Sequence, residues 1–269
     1  MQPNEIFTYP KENISQEAQD AVNNHFCRFL DKICDKQSRT ISYPMGVCSV
    51  WHHNKKAIIC PHRFLEDNLV FEQISEEVFG AKDNVLLLQE VKITNVGSFD
   101  FVLVKFKPLT SKVEDFCIVE FQSDSTTSTG QLVESLKDFM DTKELKEKYS
   151  FGLNTYNTIK LSYIQMLIKG QVMEKWNKNI VWVMQNYVYE NMVNRFQLSE
   201  MEYKKEKNTK YFLYDLIGKN NVDYLTLVDK KASTIANLLK AFTHQDTPSL
   251  SDFIEILTEK IKEKIKIKD

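Results

Sequence analysis

Apolar residues recur along the chain with two different spacings, which predict where helices and strands form. Spacings of three and four residues predict helices over residues 15–30, 64–79 and 157–169, the last two ending before Gly80 and Gly170. Short apolar runs predict strands over residues 46–51, 57–61, 84–91, 101–106 and 179–185, and a further strand ends at Gln122. The run 179–185 is apolar almost throughout, which is typical of a central strand covered on both faces.

The order of these elements predicts an α/β fold in which a mixed central sheet is flanked by helices. We assign residues 1–68 to an N-terminal arm and cysteine module, 69–190 to the core and 191–269 to a mostly helical C-terminal region. The last region contains a lysine-rich loop at 204–207 and predicted helices over 232–242 and 250–268. The lysines of its final turns suit the negative end of a helix dipole or, alternatively, would contact phosphates.

Composition narrows the classes of protein to which the sequence can belong. The chain has 269 residues, 42% of them apolar and 27% charged, as in ordinary soluble globular proteins. The formal net charge is -2, so a polyanion would have to bind a local basic surface. The apolar runs are too short to span a bilayer, and the N-terminus lacks a basic region followed by an apolar core. We therefore expect a cytoplasmic protein that spans no membrane.

Four of the five cysteines fall within one segment. Cys27, Cys34, Cys48 and Cys60 are separated by six, thirteen and eleven residues, whereas Cys117 stands alone and is expected to pack in the core. Clustered cysteines in a reducing compartment bind metal more often than they form disulfides. Four thiolates could surround a tetrahedral zinc or iron ion if Cys48 and Cys60 lie on adjacent strands. Four histidines of the segment could replace a thiolate: His25, His52, His53 and His62. The alternative is that the four cysteines are free core residues.

Acidic residues occur in predicted strands between residues 90 and 122, where apolar residues are expected. They are Glu90, Asp100 and Glu120, and Gln122 shares a strand face with Glu120. Buried carboxylates are costly unless they are paired, and a divalent cation such as Mg²⁺ is a suitable partner. Such an ion would polarise a phosphodiester and activate water, which Gln122 could orient through its amide carbonyl. The alternative is a set of surface carboxylates at strand ends.

Several blocks of the sequence, in this order, carry a resemblance to a known family. They are Gly46-Val47-Cys48-Ser49-Val50, Ile58-Ile59-Cys60-Pro61-His62-Arg63-Phe64, Gln89-Glu90-Val91 through Gly97-Ser98-Phe99-Asp100, Ile118-Val119-Glu120-Phe121-Gln122, Gly152-Leu153-Asn154, Asn157-Thr158-Ile159-Lys160 and Val181-Trp182-Val183-Met184-Gln185. Over roughly residues 25–190 the chain resembles NotI-type restriction endonucleases. These form a branch of the PD-(D/E)XK nuclease superfamily in which glutamine replaces the last lysine of the motif.

The resemblance implies a restriction-endonuclease-like fold and a Mg²⁺-dependent type II enzyme, a homodimer that cuts short palindromic sites in double-stranded DNA. It implies that Asp100 and Glu120 hold Mg²⁺, that Glu90 belongs to the same catalytic site and that Gln122 takes the lysine position. It also implies a structural iron ion on the four cysteines, in a rubredoxin-like site that zinc would fit as well. Two other functions stay open: a nuclease for DNA repair or modified DNA, and a metal-clamped DNA-binding protein without catalysis.

Overall fold

The computed structural model describes residues 1–198, 201–243, 247 and 249–266. The N-terminal part consists of β1 (Gln2–Ile6), β2 (Tyr9–Pro10), α1 (Gln16–Asn23), β3 (Phe26–Cys27), β4 (Lys32–Ile33), β5 (Val47–His52), β6 (Lys55–Ile58) and a 3-10 helix (Pro61–Asn68). Four of these strands form a small sheet in the order β2-β1-β5-β6, and β3 pairs with β4. None of the described helices is long and apolar enough to cross a membrane.

The middle of the chain forms most of a larger sheet and the helices that cover it. Its elements are α2 (Leu69–Phe79), β7 (Val85–Ile93), β8 (Gly97–Phe106), β9 (Val113–Gln122), α3 (Thr129–Thr142), α4 (Thr155–Trp176), β10 (Asn179–Gln185) and α5 (Asn186–Phe196). The remaining elements are β11 (Thr209–Lys219), β12 (Val222–Ser233), α6 (Ile235–Thr243) and α7 (Leu250–Lys266).

The larger sheet has six strands in the order β12-β11-β10-β9-β8-β7. β10 runs parallel to both β9 and β11, whereas the other neighbours are antiparallel. Residues Ile180 to Gln185 of β10 are buried, which confirms the predicted central strand. The predicted mixed sheet flanked by helices is therefore confirmed.

The two faces of the sheet pack against different helices. On β9, Ile118 packs with residues of α3, α4 and α5, and we call this the α4 face. Cys117 and Val119 pack with residues of α2 and the 3-10 helix, and we call this the α2 face. The burial of Cys117 confirms its predicted place in the core. Even-numbered residues near the end of β9, including Glu120 and Gln122, consequently point towards α4.

Three predicted helices have different limits in the structure. Ser15 caps α1 as predicted, accepting a hydrogen bond from Ala18 N at 3.3 Å, but α1 ends at Asn23, so Cys27 lies on a short strand instead. The predicted helix 64–79 is divided, because Asp67 and Asn68, at the end of the 3-10 helix, have φ values of 49° and 56°. Gly80 ends α2 with a φ of 67°, as the sequence indicated. Of the predicted helix 250–268, residues 267 and 268 lie outside the described range.

The prediction that Gly170 ends a helix is wrong, because α4 continues to Trp176. A Cβ atom on Gly170 would lie 2.4 Å from Ile235 Cδ1, so glycine is needed there for α6 to approach α4 closely. The sequence also predicts an apolar side of this helix formed by Ile159, Ile164, Leu167 and Ile168, but Ile164 and Ile168 are exposed. The face that packs on the sheet instead carries Ile159, Ser162, Tyr163, Met166 and Lys169.

The prediction of a mostly helical region after residue 191 is wrong for residues 209–233, which form a long β-hairpin. β11 adds to the central sheet beside β10, so the sheet extends beyond the predicted core boundary at residue 190. Asn220 and Asn221 form the two-residue turn with φ values of 53° and 57°. Asparagine tolerates this left-handed conformation, and paired positive φ values match the twist of the flanking strands.

A buried ion-pair network joins the N-terminal sheet to this hairpin. The guanidinium of Arg63 is fully buried, and its Nε donates to Glu5 Oε1 of β1 at 2.9 Å. Its two terminal nitrogens donate to Glu66 Oε2 at 3.0 Å and to the carbonyl of Asp223 on β12 at 2.7 Å. One side chain thus connects β1, the 3-10 helix and β12.

Candidate functional site

Two of the predicted acidic residues lie opposite each other on neighbouring strands. Phe101 of β8 pairs with Val119 of β9, and continuing this register by one residue places Asp100 opposite Glu120. Phe121 N donates to Asp100 Oδ2 at 3.0 Å, which ties the Asp100 carboxylate to the β9 backbone. Asp100 is exposed to solvent, whereas Glu120 is only 4% exposed. The pair therefore spans the boundary between solvent and the interior.

The two oxygens of Glu120 have different surroundings. Lys169 Nζ of α4 donates to Glu120 Oε2 at 2.7 Å. Glu120 Oε1 is buried and has no hydrogen-bond partner among the described residues. Burial, assisted by the neighbouring Asp100, raises the pKa of Glu120 to about 7, and Lys169 opposes this rise. A buried carboxylate oxygen without a donor is costly, so this atom is available to an external ligand.

Lys169 was not predicted from the sequence as a site residue. Its side chain is 6% exposed, and its ammonium lies 5.4 Å from the centre of the Phe99 ring. Little in the sequence marks Lys169 as buried, because apolar residues occur on several sides of α4 and two of them, Ile164 and Ile168, are exposed. A buried lysine needs an anionic partner, and Glu120 provides it.

Gln122 lies on the same face and is also held by α4. The hydroxyl of Ser162 donates to Gln122 Oε1, and Gln122 Nε2 donates to the carbonyl of Ser123 at 2.9 Å. Ser162 and Lys169 are seven residues apart, which is two helical turns, so both project from one side of α4. The sequence analysis assigned the orientation of a water molecule to the amide carbonyl of Gln122. In the structure this oxygen already accepts a hydrogen bond from Ser162.

Glu90 differs from the other acidic residues of the set. Its neighbours Gln89 and Val91 pair with Phe101 and Phe99, which puts Glu90 across from Asp100. Glu90 is exposed, and its φ of 51° is unusual within a strand. This conformation reverses the side-chain alternation of β7: Leu87 packs on the α2 face and Val91 on the α4 face. No hydrogen bond or ion pair joins Glu90 to Asp100 or Glu120 among the described residues.

The Asp100–Glu120 pair fits a Mg²⁺ ion better than a metal that requires many protein ligands. The described part of the chain contains no group of three or more His, Cys, Asp or Glu side chains arranged to hold a metal ion. Mg²⁺ commonly takes one or two carboxylates and completes its shell with water and phosphate oxygens. The unpartnered Oε1 of Glu120 beside an exposed Asp100 suits that mode of binding.

Asp124 is a further buried carboxylate close to Gln122, and its hydrogen bonds give it a structural role. Asp124 Oδ2 accepts hydrogen bonds from the hydroxyls of Tyr187 at 2.8 Å and Thr155 at 2.5 Å. Its other oxygen accepts from Ser125 N at 2.7 Å. Both oxygens are satisfied, so Asp124 anchors the loop after β9, in contrast to Glu120.

The four clustered cysteines line one small cavity. Cys27, Cys34, Cys48 and Cys60 are all buried thiols and surround a cavity of about 10 Å³, together with His62. Among the described residues, these cysteines and His62 are not arranged as a metal-binding group. Burial raises the pKa of each thiol, and that of Cys34 rises to about 11.

Backbone groups of nearby residues also affect the pKa of each thiol. They belong to Leu30 and Phe29 for Cys27, to Lys36 for Cys34, to Thr8 for Cys48 and to His62 for Cys60. These contacts lower the thiol pKa values and oppose the effect of burial. Such contacts favour a negatively charged sulfur, which is the form that binds a metal ion.

Comparison with known proteins places this geometry in context. A sequence model described as restriction endonuclease NotI matches residues 14–227, well over half of the 269 residues. The matched range contains the four clustered cysteines, both strands of the Asp100–Glu120 pair and most of the β11–β12 hairpin. A search of curated proteins finds no match.

Proposed function

The chain belongs to the NotI restriction endonuclease family, and from this premise we propose that it is a sequence-specific type II restriction endonuclease. It hydrolyses phosphodiester bonds of double-stranded DNA in the cytoplasm with water activated by Mg²⁺. The observation that carries this proposal is the buried and unpartnered Oε1 of Glu120, opposite the exposed Asp100.

Asp100 and Glu120 would hold the Mg²⁺ ion through one carboxylate each. When bound, Mg²⁺ supplies positive charge to the scissile phosphate and lowers the pKa of a water molecule. Gln122 cannot accept a proton as a general base, because an amide does not titrate in this range. Its hydrogen bond to Ser162 keeps the side chain on the α4 face beside Glu120. Glu90 lies across from Asp100, and we retain it as a catalytic residue of this proposal.

Lys169 is the positioning residue of the proposed site. By binding Oε2 of Glu120 at 2.7 Å, it fixes the carboxylate orientation and leaves Oε1 for the cation. It also supplies a positive charge close to β9, where the strand itself carries Gln122 instead of lysine. This charge lowers the pKa of Glu120 and so favours the ionised form that metal binding requires.

We further propose that the four cysteines bind one iron or zinc ion, which is structural. The cavity that all four thiols line supports the proposal. Cys27 lies in the two-residue strand β3, and Cys34 follows the two-residue strand β4. These strands bury little apolar surface, so a metal ion would hold both cysteines against β5.

Cleavage of unmethylated DNA in Mg²⁺ tests the catalytic proposal. Discrete fragments are expected, and Asp100→Ala or Glu120→Ala should abolish them while leaving DNA binding without divalent cations intact. The control is Glu114→Ala, an exposed acidic residue on the same strand. Shifted but uncut DNA would favour the DNA-binding protein without catalysis. Cutting restricted to damaged or modified DNA would favour the repair or modification-dependent nuclease.

Metal analysis of the purified protein tests the cysteine proposal separately. About one iron or zinc per chain is expected, with loss of the metal and a lower melting temperature in Cys34→Ser. Cys117→Ser is the matched control, because Cys117 is buried in the core away from the cavity. Equal metal content in the two variants, or none in the wild type, would contradict a four-cysteine site.

The proposed enzyme acts as a homodimer. A palindromic site has two-fold symmetry, and a two-fold symmetric protein presents one active site to each strand.

A further inference from the structure

The hairpin formed by β7 and β8 extends beyond the rest of the larger sheet. Among the described residues, the last pair of β8 with β9 towards this end is Phe101 with Val119. The pairing of β8 with β7 continues further, as far as Gly97 opposite Ile93. Residues 91–99 therefore form a two-stranded ribbon that begins next to Asp100, and we call it the 91–99 ribbon.

The two faces of the 91–99 ribbon differ in character. One face packs against the core cluster that includes residues of α4, through Val91, Ile93, Val96 and Phe99. On the other face Lys92 lies opposite Ser98, and both side chains are exposed. Thr94 and Asn95 of the turn are exposed as well. The apolar face thus fixes the position of the ribbon, and the polar face is presented to solvent.

The polar face carries side chains that form no contact of their own within the protein. In the part of the chain that the structure describes, no side-chain hydrogen bond or ion pair involves Lys92, Thr94, Asn95 or Ser98. Residues 91–99 contain one lysine and no aspartate or glutamate, in a chain whose net charge is -2. The ribbon is therefore a small surface of positive charge with several unused donors and acceptors.

We propose that the 91–99 ribbon lies in the major groove of the bound DNA and that Lys92 and Asn95 read base edges there. The inference rests on the proposed function and names residues that select the cleaved sequence. The major groove is about 12 Å wide and admits a two-stranded ribbon, whereas the minor groove is about half as wide. In the major groove lysine donates to O6 and N7 of guanine, and the asparagine amide pairs with N6 and N7 of adenine.

The position of the ribbon beside the proposed catalytic site suits this role. Ser98 and Asp100 are two strand residues apart, about 7 Å, which equals about two base-pair steps of DNA. The positive φ of Glu90 contributes to the arrangement, because it reverses the side-chain alternation of β7. Without this reversal Lys92 would point towards the α4 face and the core. The conformation of Glu90 therefore directs Lys92 to the outer face.

Binding-site selection with an inactive protein tests the readout separately from cleavage. Asp100→Ala protein without divalent cations should select a consensus sequence from a pool of random duplexes. Adding Lys92→Gln should lower the preference for guanine at one position by about 5- to 150-fold, and Asn95→Gly should do the same for adenine at another. Glycine accepts the φ of 65° at residue 95, so the turn is retained. The control is Lys107→Gln, which alters an exposed lysine just after the other end of β8.

A duplex with 7-deazaguanine at the guanine assigned to Lys92 tests the contact itself, because this base lacks the N7 acceptor. It should weaken binding by the protein that has Lys92 and leave the affinity of the Lys92→Gln protein nearly unchanged. The absence of any consensus, an unchanged consensus in both ribbon variants, or a uniform loss of affinity for every sequence overturns base readout by the ribbon. The proposed cleavage fails by a different result, namely selected DNA that stays uncut by wild-type protein in Mg²⁺.

Discussion

Lys169 decides which oxygen of Glu120 is free, and this gives the first prediction at the residue scale. Replacing Lys169 by methionine removes the 2.7 Å contact and leaves the buried carboxylate without its cation. The Mg²⁺ concentration for half-maximal cleavage should rise about 10- to 100-fold, as for other groups that orient a metal ligand. The acidic limb of the pH–rate profile should also move to higher pH, because Lys169 lowers the pKa of Glu120.

The control for this variant is Lys175→Met, which alters an exposed lysine of the same helix. Lys169→Arg should recover part of the pH shift, because it restores a cation near Glu120 Oε2. A purely structural lysine would lower stability without moving the pH profile. An unchanged profile in Lys169→Met would therefore contradict the positioning role.

The raised pKa of Glu120 gives a second prediction at this scale. In the metal-free protein the protonated carboxyl contributes stability that is complete below the unfolded pKa of 4.5 and is lost as the pH rises through about 7. The loss is at most roughly 3 kcal/mol, from 1.36 kcal/mol per pKa unit. Divalent cations bind the ionised form, so Ca²⁺ should raise the melting temperature more at pH 8 than at pH 6. Asp100→Asn should remove this difference, and equal shifts at both pH values would contradict it.

Strand alternation is a local rule, so the sequence alone predicts which residues of β9 share a face. Parity places Glu120 with Gln122, and α4 contacts both side chains through Lys169 and Ser162. Parity does not hold along all of β8, where Phe99 and Val102 both pack on the α4 face. The contribution of Lys169 depends on how α4 rotates against the sheet, which is a long-range property. Likewise, nothing in the local sequence around Glu90 announces its positive φ, which changes the face to which β7 directs its side chains.

At the scale of elements, the contact between α4 and α6 gives a third prediction. Gly170→Ala would put a Cβ 2.4 Å from Ile235 Cδ1, so the free energy of unfolding should fall by roughly 1–3 kcal/mol despite the better helix propensity of alanine. Adding Ile235→Val removes the clashing atom and should recover part of the loss. Gly130→Ala in α3 is the control, because no atom lies within 4 Å of the new Cβ. It should gain about 0.5–1 kcal/mol.

Urea denaturation measures these differences. If Gly170→Ala is as favourable as Gly130→Ala, close packing does not explain why α4 passes through Gly170. The prediction failed at this position because glycine has two roles in helices. A C-terminal cap and a close helix–helix contact both favour glycine, so the sequence alone does not distinguish them. The position of α6 does.

The hairpin β11–β12 shows a similar limit at the scale of elements. Its buried run, Tyr211-Phe212-Leu213-Tyr214, is short. A lysine-rich loop precedes this run, so the segment as a whole resembled a charged surface region. The turn at Asn220-Asn221 was the missed signal, since paired asparagines between apolar runs are typical of a two-residue hairpin. The central sheet was predicted from its interior strands, whereas its completion by this hairpin required the tertiary partner β10.

At the scale of the whole molecule, Arg63 links parts that are far apart in the chain, and its removal is the fourth prediction. Burial raises the pKa of Glu5, and the Arg63 guanidinium is the main group that opposes this rise. Arg63→Met leaves Glu5 buried without its cation, whereas Glu66 keeps its 3.3 Å contact with Arg28. The uncompensated Glu5 should lower the free energy of unfolding by about 3–5 kcal/mol. Lys82→Met, which breaks the exposed 2.8 Å pair with Glu72, should cost less than about 1 kcal/mol.

The cost of Arg63→Met should arise mainly from uncompensated buried charge and not from the lost contacts alone. Adding Glu5→Gln should therefore return part of the lost stability, because a neutral amide needs no cation. Glu5 lies on β1 and the Asp223 carbonyl on β12, so the single variant should also increase hydrogen exchange in both strands. If exchange rises in β1 alone, Arg63 stabilises the N-terminal sheet without joining it to the hairpin.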